Sequence, residues 1–418
     1  MRTSRRSIPV LCALLLAVSP SPPAARATGE DQAVVTVRWS APADPADLAV
    51  RLQALLGQHS VLAAGLMRSR IRGDDDFVQA ANAALGKNTD AMTDLMAQLF
   101  GEDMVNEFSP MWAEHVVELV AYASALAAHD DAAREHAREE LIEYEGELSA
   151  FLAGQSHGRL SPSAAHHALA MHVEHLTEQA DAYAAQDYLT ADRAYREGYR
   201  HMYDLGLTLA DSLLPARDRP ALREPVWRLR SQLGKLLAEH VVLVGEVTRA
   251  AVANTPDFDA AARMINANTR DLTAAMDSLF GTTTARRFQR LWGYHVEQLV
   301  AYGGATAAGD NERRDRVRSK LKEYEGEIAT FLSGATGARM TTPQLAAAFA
   351  GHDDMLLRHA DAYAAKDYAA AHDIAYSTYE HGFDLARDLA DAFGASVASR
   401  LPRGGAQTGY GGLARGER

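Results

Sequence analysis

Phe108-Ser-Pro-Met-Trp112-Ala-Glu-His115-Val-Val-Glu-Leu119-Val-Ala-Tyr122 returns 180 residues later as Phe288-Gln-Arg-Leu-Trp292-Gly-Tyr-His295-Val-Glu-Gln-Leu299-Val-Ala-Tyr302. In both copies the apolar residues recur at steps of three, four and seven, the period of a helix that buries one face. The histidine lies on that buried face, one turn after the tryptophan. Outward from this stretch the correspondence continues. Leu99-Phe-Gly101 matches Leu279-Phe-Gly281, Tyr144-Glu-Gly-Glu147 matches Tyr324-Glu-Gly-Glu327, and Phe151-Leu152 matches Phe331-Leu332. Asp181-Ala-Tyr183 matches Asp361-Ala-Tyr363, and Tyr199 and His201 match Tyr379 and His381. The offset is 181 only near His59 and His240. One structural unit is therefore used twice.

A weaker repeat lies inside each copy. His59, Asp74 and Asn88 follow one another at steps of 15 and 14, as do His115, Asp130 and Tyr144, and His172, Asp187 and His201. The second copy keeps the rule in His295, Asp310, Tyr324 and in His352, Asp367, His381; His240, Asn254 and Asn268 keep it with one residue fewer. The pattern reads as a helical hairpin: a helix carrying the first residue, an Asp or Asn N-cap, and a returning helix. At about 1.5 Å per residue, both partners then stand roughly 20 Å from the turn, at one height. Three such hairpins side by side would put His59, Asn88, His115, Tyr144, His172 and His201 in one layer. The second layer would hold His240, Asn268, His295, Tyr324, His352 and His381.

The expected fold is all-α: two tandem six-helix units, each of three antiparallel hairpins. The first unit spans residues 46–214 and the second 226–393. A Pro-bearing linker with Pro215, Pro220 and Pro225 joins them, and 394–418 reads as a Gly-rich, disordered tail. Spacing alone leaves open whether the hairpins close into a bundle or open into a solenoid.

The N-terminus has its own logic. Arg2, Arg5 and Arg6 precede an apolar run from Ile8 to Val18, and Ala25-Arg-Ala27 follows. That order is a secretory signal peptide at 1–27, followed by an extended lead-in at 28–45 in which Val34–Trp39 is a candidate strand. The expected location is outside the cytoplasm, periplasmic or extracellular. Ser4-Arg-Arg6 also resembles a twin-arginine motif, but an ordinary Sec signal is the simpler reading. Cys12, the single cysteine of 418 residues, leaves with the signal, so no disulfide or thiolate remains. Cleavage takes the net charge from −13 to −17 by removing Arg2, Arg5, Arg6 and Arg26. That balance argues against nucleic acid, whose phosphates need a basic face. No segment is long and apolar enough for membrane insertion.

Four histidines per copy on four helices suit a transition metal, because neutral imidazole binds copper, zinc and iron. The proposed ligands are His59, His115, His172 and His201, and His240, His295, His352 and His381. Tyr144 and Tyr324 stand beside them as cofactor-binding neighbours, with Asp204 and Asp384 one turn beyond the last histidines. His175 has Met355 as its counterpart, which makes it a doubtful ligand. His129, His136, His157, His166 and His167 have no counterpart histidine and read as surface residues. There is no HExxH, GxSxG or phosphate-binding glycine loop, and no serine shared by both copies suits nucleophilic catalysis.

The order Trp-x-x-His, Phe-Leu, Asp-Ala-Tyr-Ala-Ala-x-Asp-Tyr and Tyr-x-His resembles a group of secreted bacterial helical-repeat proteins with no established activity. The resemblance covers nearly all of residues 46–393 and implies the fold and export. Three function classes follow from the residues. The first is an extracytoplasmic protein holding a metal or small cofactor in each His-rich layer. The second is a structural or interaction module whose polar layers only fix packing. The third is a metal-dependent oxidoreductase using the tyrosines.

Overall fold

Short turns built from caps and left-handed residues alternate with long helices along the chain. The computed structural model describes residues 45–400. The expected signal peptide, the expected lead-in with its candidate strand and the part of the expected tail beyond Arg400 lie outside the described residues. Among the described residues there are twelve α-helices, one short 3-10 turn at Arg219–Arg223 and no strand. The helices are α1 (Pro45–Arg72), α2 (Asp75–Phe100), α3 (Glu102–Ala128), α4 (Asp131–Gln155), α5 (Pro162–Ala184) and α6 (Tyr188–Leu213). They continue as α7 (Pro225–Ala253), α8 (Phe258–Phe280), α9 (Thr282–Ala307), α10 (Asn311–Ala335), α11 (Thr342–Ala364) and α12 (Tyr368–Arg400). The protein is all-α, as its periodicity requires.

The caps follow from local chemistry. Asp130, Asp187, Asp310 and Asp367 each accept a hydrogen bond from a backbone N–H three residues on, a donor that the first helical turn would otherwise leave unpaired. Asp74 takes the cap position without that bond. Asn254 departs from the expected pattern. It ends α7 in the left-handed region (φ 51°), the job done by Gly73 in the first half, and Asp257 stands at the N-cap of α8. Gly101 and Gly281, at φ 95° and 79°, turn α2 into α3 and α8 into α9 with no intervening loop. A side chain would strain that backbone, so glycine recurs there.

The expected tail is too long at its start. Helix α12 runs on to Arg400 because Phe393 is buried and the Ser396 hydroxyl donates to the carbonyl of Ala335 at 3.1 Å. The small residues after Phe393 thus dock rather than trail.

In the first half each helix packs on the next and α6 closes back on α1, while α1, α3 and α5 also meet across the middle. The second half repeats this with α7, α9 and α11 inside and α12 closing on α7. Each half is therefore a closed ring of helices with an inner triangle, not a solenoid. Gly206 allows the tight α1–α6 approach: a Cβ there would fall 2.6 Å from the Cα of Gln53.

The halves are not separate bodies. All twelve helices belong to one compact unit, with α2 against α12, α6 against α8 and α1 against α7. Two equivalent contacts reveal the near-twofold relation: Tyr199 donates to the carbonyl of Lys235 at 3.0 Å, and Tyr379 to that of Ala54 at 2.9 Å. Buried ions line the same seam, and the contact between Arg68 and Glu246 crosses it. Arg68 of α1 bonds Asp192 and Gln179, both at 2.8 Å, and approaches Glu246 of α7. Its counterpart Arg249 pairs with Glu246 at 3.1 Å and with Asp257.

Candidate metal centres

The inner triangle of each half carries the histidines to a common point. His59 comes from α1, His115 from α3 and His172 from α5; His240, His295 and His352 come from α7, α9 and α11. Each rides on the apolar stripe that turns its helix inward, so burial of the leucines buries the imidazole as well. Five of the six rings are fully buried, and His352 is 3 % exposed. In each half, one ligand atom from each of the three histidines lies within 4.8 Å of the others. The ring centroids are 5.1, 5.4 and 6.0 Å apart in the first triad, and 5.5, 5.7 and 5.8 Å in the second. A tetrahedral ion with bonds near 2.0–2.1 Å sets its nitrogens about 3.3 Å apart. His59 Nε2 and His115 Nε2 are already 3.1 Å apart.

Trp112 and Trp292 wall the triads, with ring centroids 4.4 Å from His59 and 4.7 Å from His240. Tyr144 stacks on His115 at 4.5 Å and Tyr324 on His295 at 4.7 Å. The tyrosines thus hold the middle imidazole of each triad by its face. Burial raises both phenols above their ordinary range and keeps them neutral.

Burial also pushes all six imidazoles below their usual titration range, and neighbouring imidazoles push several of them further. His115 and His240 are held down to about 3. The neutral ring is the form that offers a metal a lone pair. In the second triad, among the described residues, none of the six ring nitrogens has a hydrogen-bond partner. Buried polar atoms are nearly always paired, and each unpaired one costs about 1–3 kcal/mol. In the first triad three nitrogens are unpaired, since His59 and His115 share one bond and His115 Nδ1 also faces the carbonyl of Trp112.

Compared with protein-family models, curated proteins and solved structures, the chain matches none.

Six of the eight expected ligands thus converge, and two do not. His201 Nε2 lies 2.7 Å from the carbonyl of Ala168, and His381 Nε2 lies 3.3 Å from that of Ala348. Both sit on the last helix of their half, outside the inner triangle, so their rings reach α5 and α11 rather than the ion position. His381 still touches the His352 ring, at 6.2 Å. Asn88 and Asn268 lie outside the triads, donating to the carbonyls of Leu55 and Leu236 at 3.0 and 2.9 Å and to the side chains of Gln58 and Glu239, next to His59 and His240. Asp204 pairs with Lys235 and Asp384 with Arg387, away from the triads. His129, His136, His157, His166 and His167 are exposed, as expected. His175 packs against His201 rather than joining the triad. Asp181 and Asp361 accept from the hydroxyls of Tyr122 and Tyr302, tying α5 to α3 and α11 to α9.

One residue of the second site escaped the sequence reading. Asp353 is 2 % exposed, its Oδ1 lies 3.4 Å from His295 Nδ1, and neither carboxylate oxygen has a hydrogen-bond partner among the described residues. Burial drives its carboxyl well above the usual range. The signal was visible in the repeat: His352-Asp353 stands where the first copy has His172-Val173, so an acid replaces a core valine.

Proposed function

We propose that this protein binds one transition-metal ion in each half, through His59, His115 and His172 and through His240, His295 and His352. The observation that carries the reading is the second triad: three buried rings with one nitrogen each within 4.8 Å of the others, and no hydrogen-bond partner among the described residues for any of their six nitrogens. A core selected only for stability would fill that space with leucine or pair the nitrogens. An ion supplies the missing partner for one nitrogen of each ring. Three imidazoles with an open fourth position suit zinc, copper or iron. The basic start, apolar run and Ala25-Arg-Ala27 of the N-terminus support export, and hence binding outside the cytoplasm. Among the described residues no helix is long and apolar enough to cross a membrane.

The polar-layer reading draws on one observation, the His59–His115 hydrogen bond in the first half. Metal analysis of untagged protein separates the two. Copper, zinc or iron approaching two ions per chain, and lost in a His115→Ala/His295→Ala variant, supports binding. No uptake of any of these ions after dialysis would leave only a register-fixing network.

A further inference from the structure

The two triads are repeats of one design, yet the group that Nδ1 of the middle imidazole faces differs. His115 Nδ1 faces a neutral group, the carbonyl of Trp112. The equivalent nitrogen of His295 faces the carboxylate of Asp353 at 3.4 Å. Asp353 replaces Val173, and both positions are buried. The carboxylate is not one of the mutually close ligand atoms, so it stands behind His295 rather than beside the ion.

We infer that the two sites differ in the charge of the ion they favour, and that the second is the tighter site for divalent cations, with Asp353 as its positioning and charge-compensating residue. This rests on the metal-binding reading above. A dication held by three neutral imidazoles leaves two positive charges in a dry interior, which is costly. If the entering dication displaces the proton of the buried Asp353 carboxyl, the carboxylate left behind a ligand halves that charge. A carboxylate accepting from the second nitrogen of a ligating imidazole also fixes its tautomer and raises its donor strength. Val173 offers the first site neither effect. The unpaired oxygens of Asp353 are explained by the same role, because the His295 N–H has a reason to turn toward them only when the other nitrogen is engaged.

The test uses the full-length chain, stripped of metal and titrated with Zn2+ against a chromophoric chelator. A His172→Ala background reads the second site alone, and a His240→Ala background reads the first. The second site should bind Zn2+ at least roughly tenfold more tightly. Adding Asp353→Asn to the His172→Ala chain should weaken binding roughly 10- to 100-fold, the usual effect of losing such a partner. Circular dichroism on each variant checks that the helices persist. The comparison of the two native sites needs no change at Asp353 and stands even if that variant fails to fold. Equal Zn2+ affinities at the two sites, or a folded Asp353→Asn chain with unchanged affinity, would overturn the inference and leave metal binding standing. Zn2+ uptake at neither site would overturn both.

Discussion

Replacing His240 by leucine should stabilise the metal-free protein. His240 is fully buried, packs 4.7 Å from the Trp292 ring, and has no hydrogen-bond partner for either ring nitrogen among the described residues. Each unpaired buried group costs about 1–3 kcal/mol, so removing two is worth roughly 2–6 kcal/mol before losses. Giving up the aromatic contact costs about 0.5–1.5 kcal/mol, and an imperfect fit of the leucine costs about 1 kcal/mol more. A net change between about −0.5 and +4.5 kcal/mol remains, centred on a gain of about 2 kcal/mol. Urea unfolding followed by circular dichroism in excess chelator measures it. Metal offsets the gain: at a free ion concentration about 100 times Kd each site adds about 2.7 kcal/mol, and the variant has one site where the native chain has two, so its advantage should shrink by about that amount. A His240→Leu chain that loses more than about 1 kcal/mol in chelator would refute the reasoning, since the ring would then be a satisfied part of the core.

Two further outcomes follow from the same geometry. Burial holds His115 and His240 neutral down to about 3, whereas unfolded imidazole titrates near about 6.5. The unfolded chain therefore takes up protons first, and metal-free stability should fall as pH drops through about 6.5 toward 4. Urea midpoints across that range should fall less steeply in His240→Leu than in the native chain, and equal slopes would contradict the burial argument. His201→Phe and His381→Phe each remove an imidazole that faces a backbone carbonyl. They should leave the metal stoichiometry unchanged and cost about 1 kcal/mol of stability; loss of an ion in either would place that ring among the ligands.

What could be read along the chain was whatever repeats locally. Helical period, caps and the 180-residue offset are relations between neighbours or between copies, so they identified the helices, the inward face of each histidine and the shared height of His59, His115 and His172. Equal height does not say which helices lie inside. That was decided by α6 closing on α1 and α12 on α7, which puts the odd-numbered helices at the centre and leaves His201 and His381 facing α5 and α11. The docking of Ser396, which carries α12 to Arg400, likewise depends on a carbonyl 61 residues away. Asp353 lay between these cases. Its exchange for Val173 was in the sequence, but only the packing of α11 against α9 brings that carboxylate to His295. Side-chain period is a property of one helix, whereas a metal centre is a property of three, and their meeting depends on how the ring of helices closes.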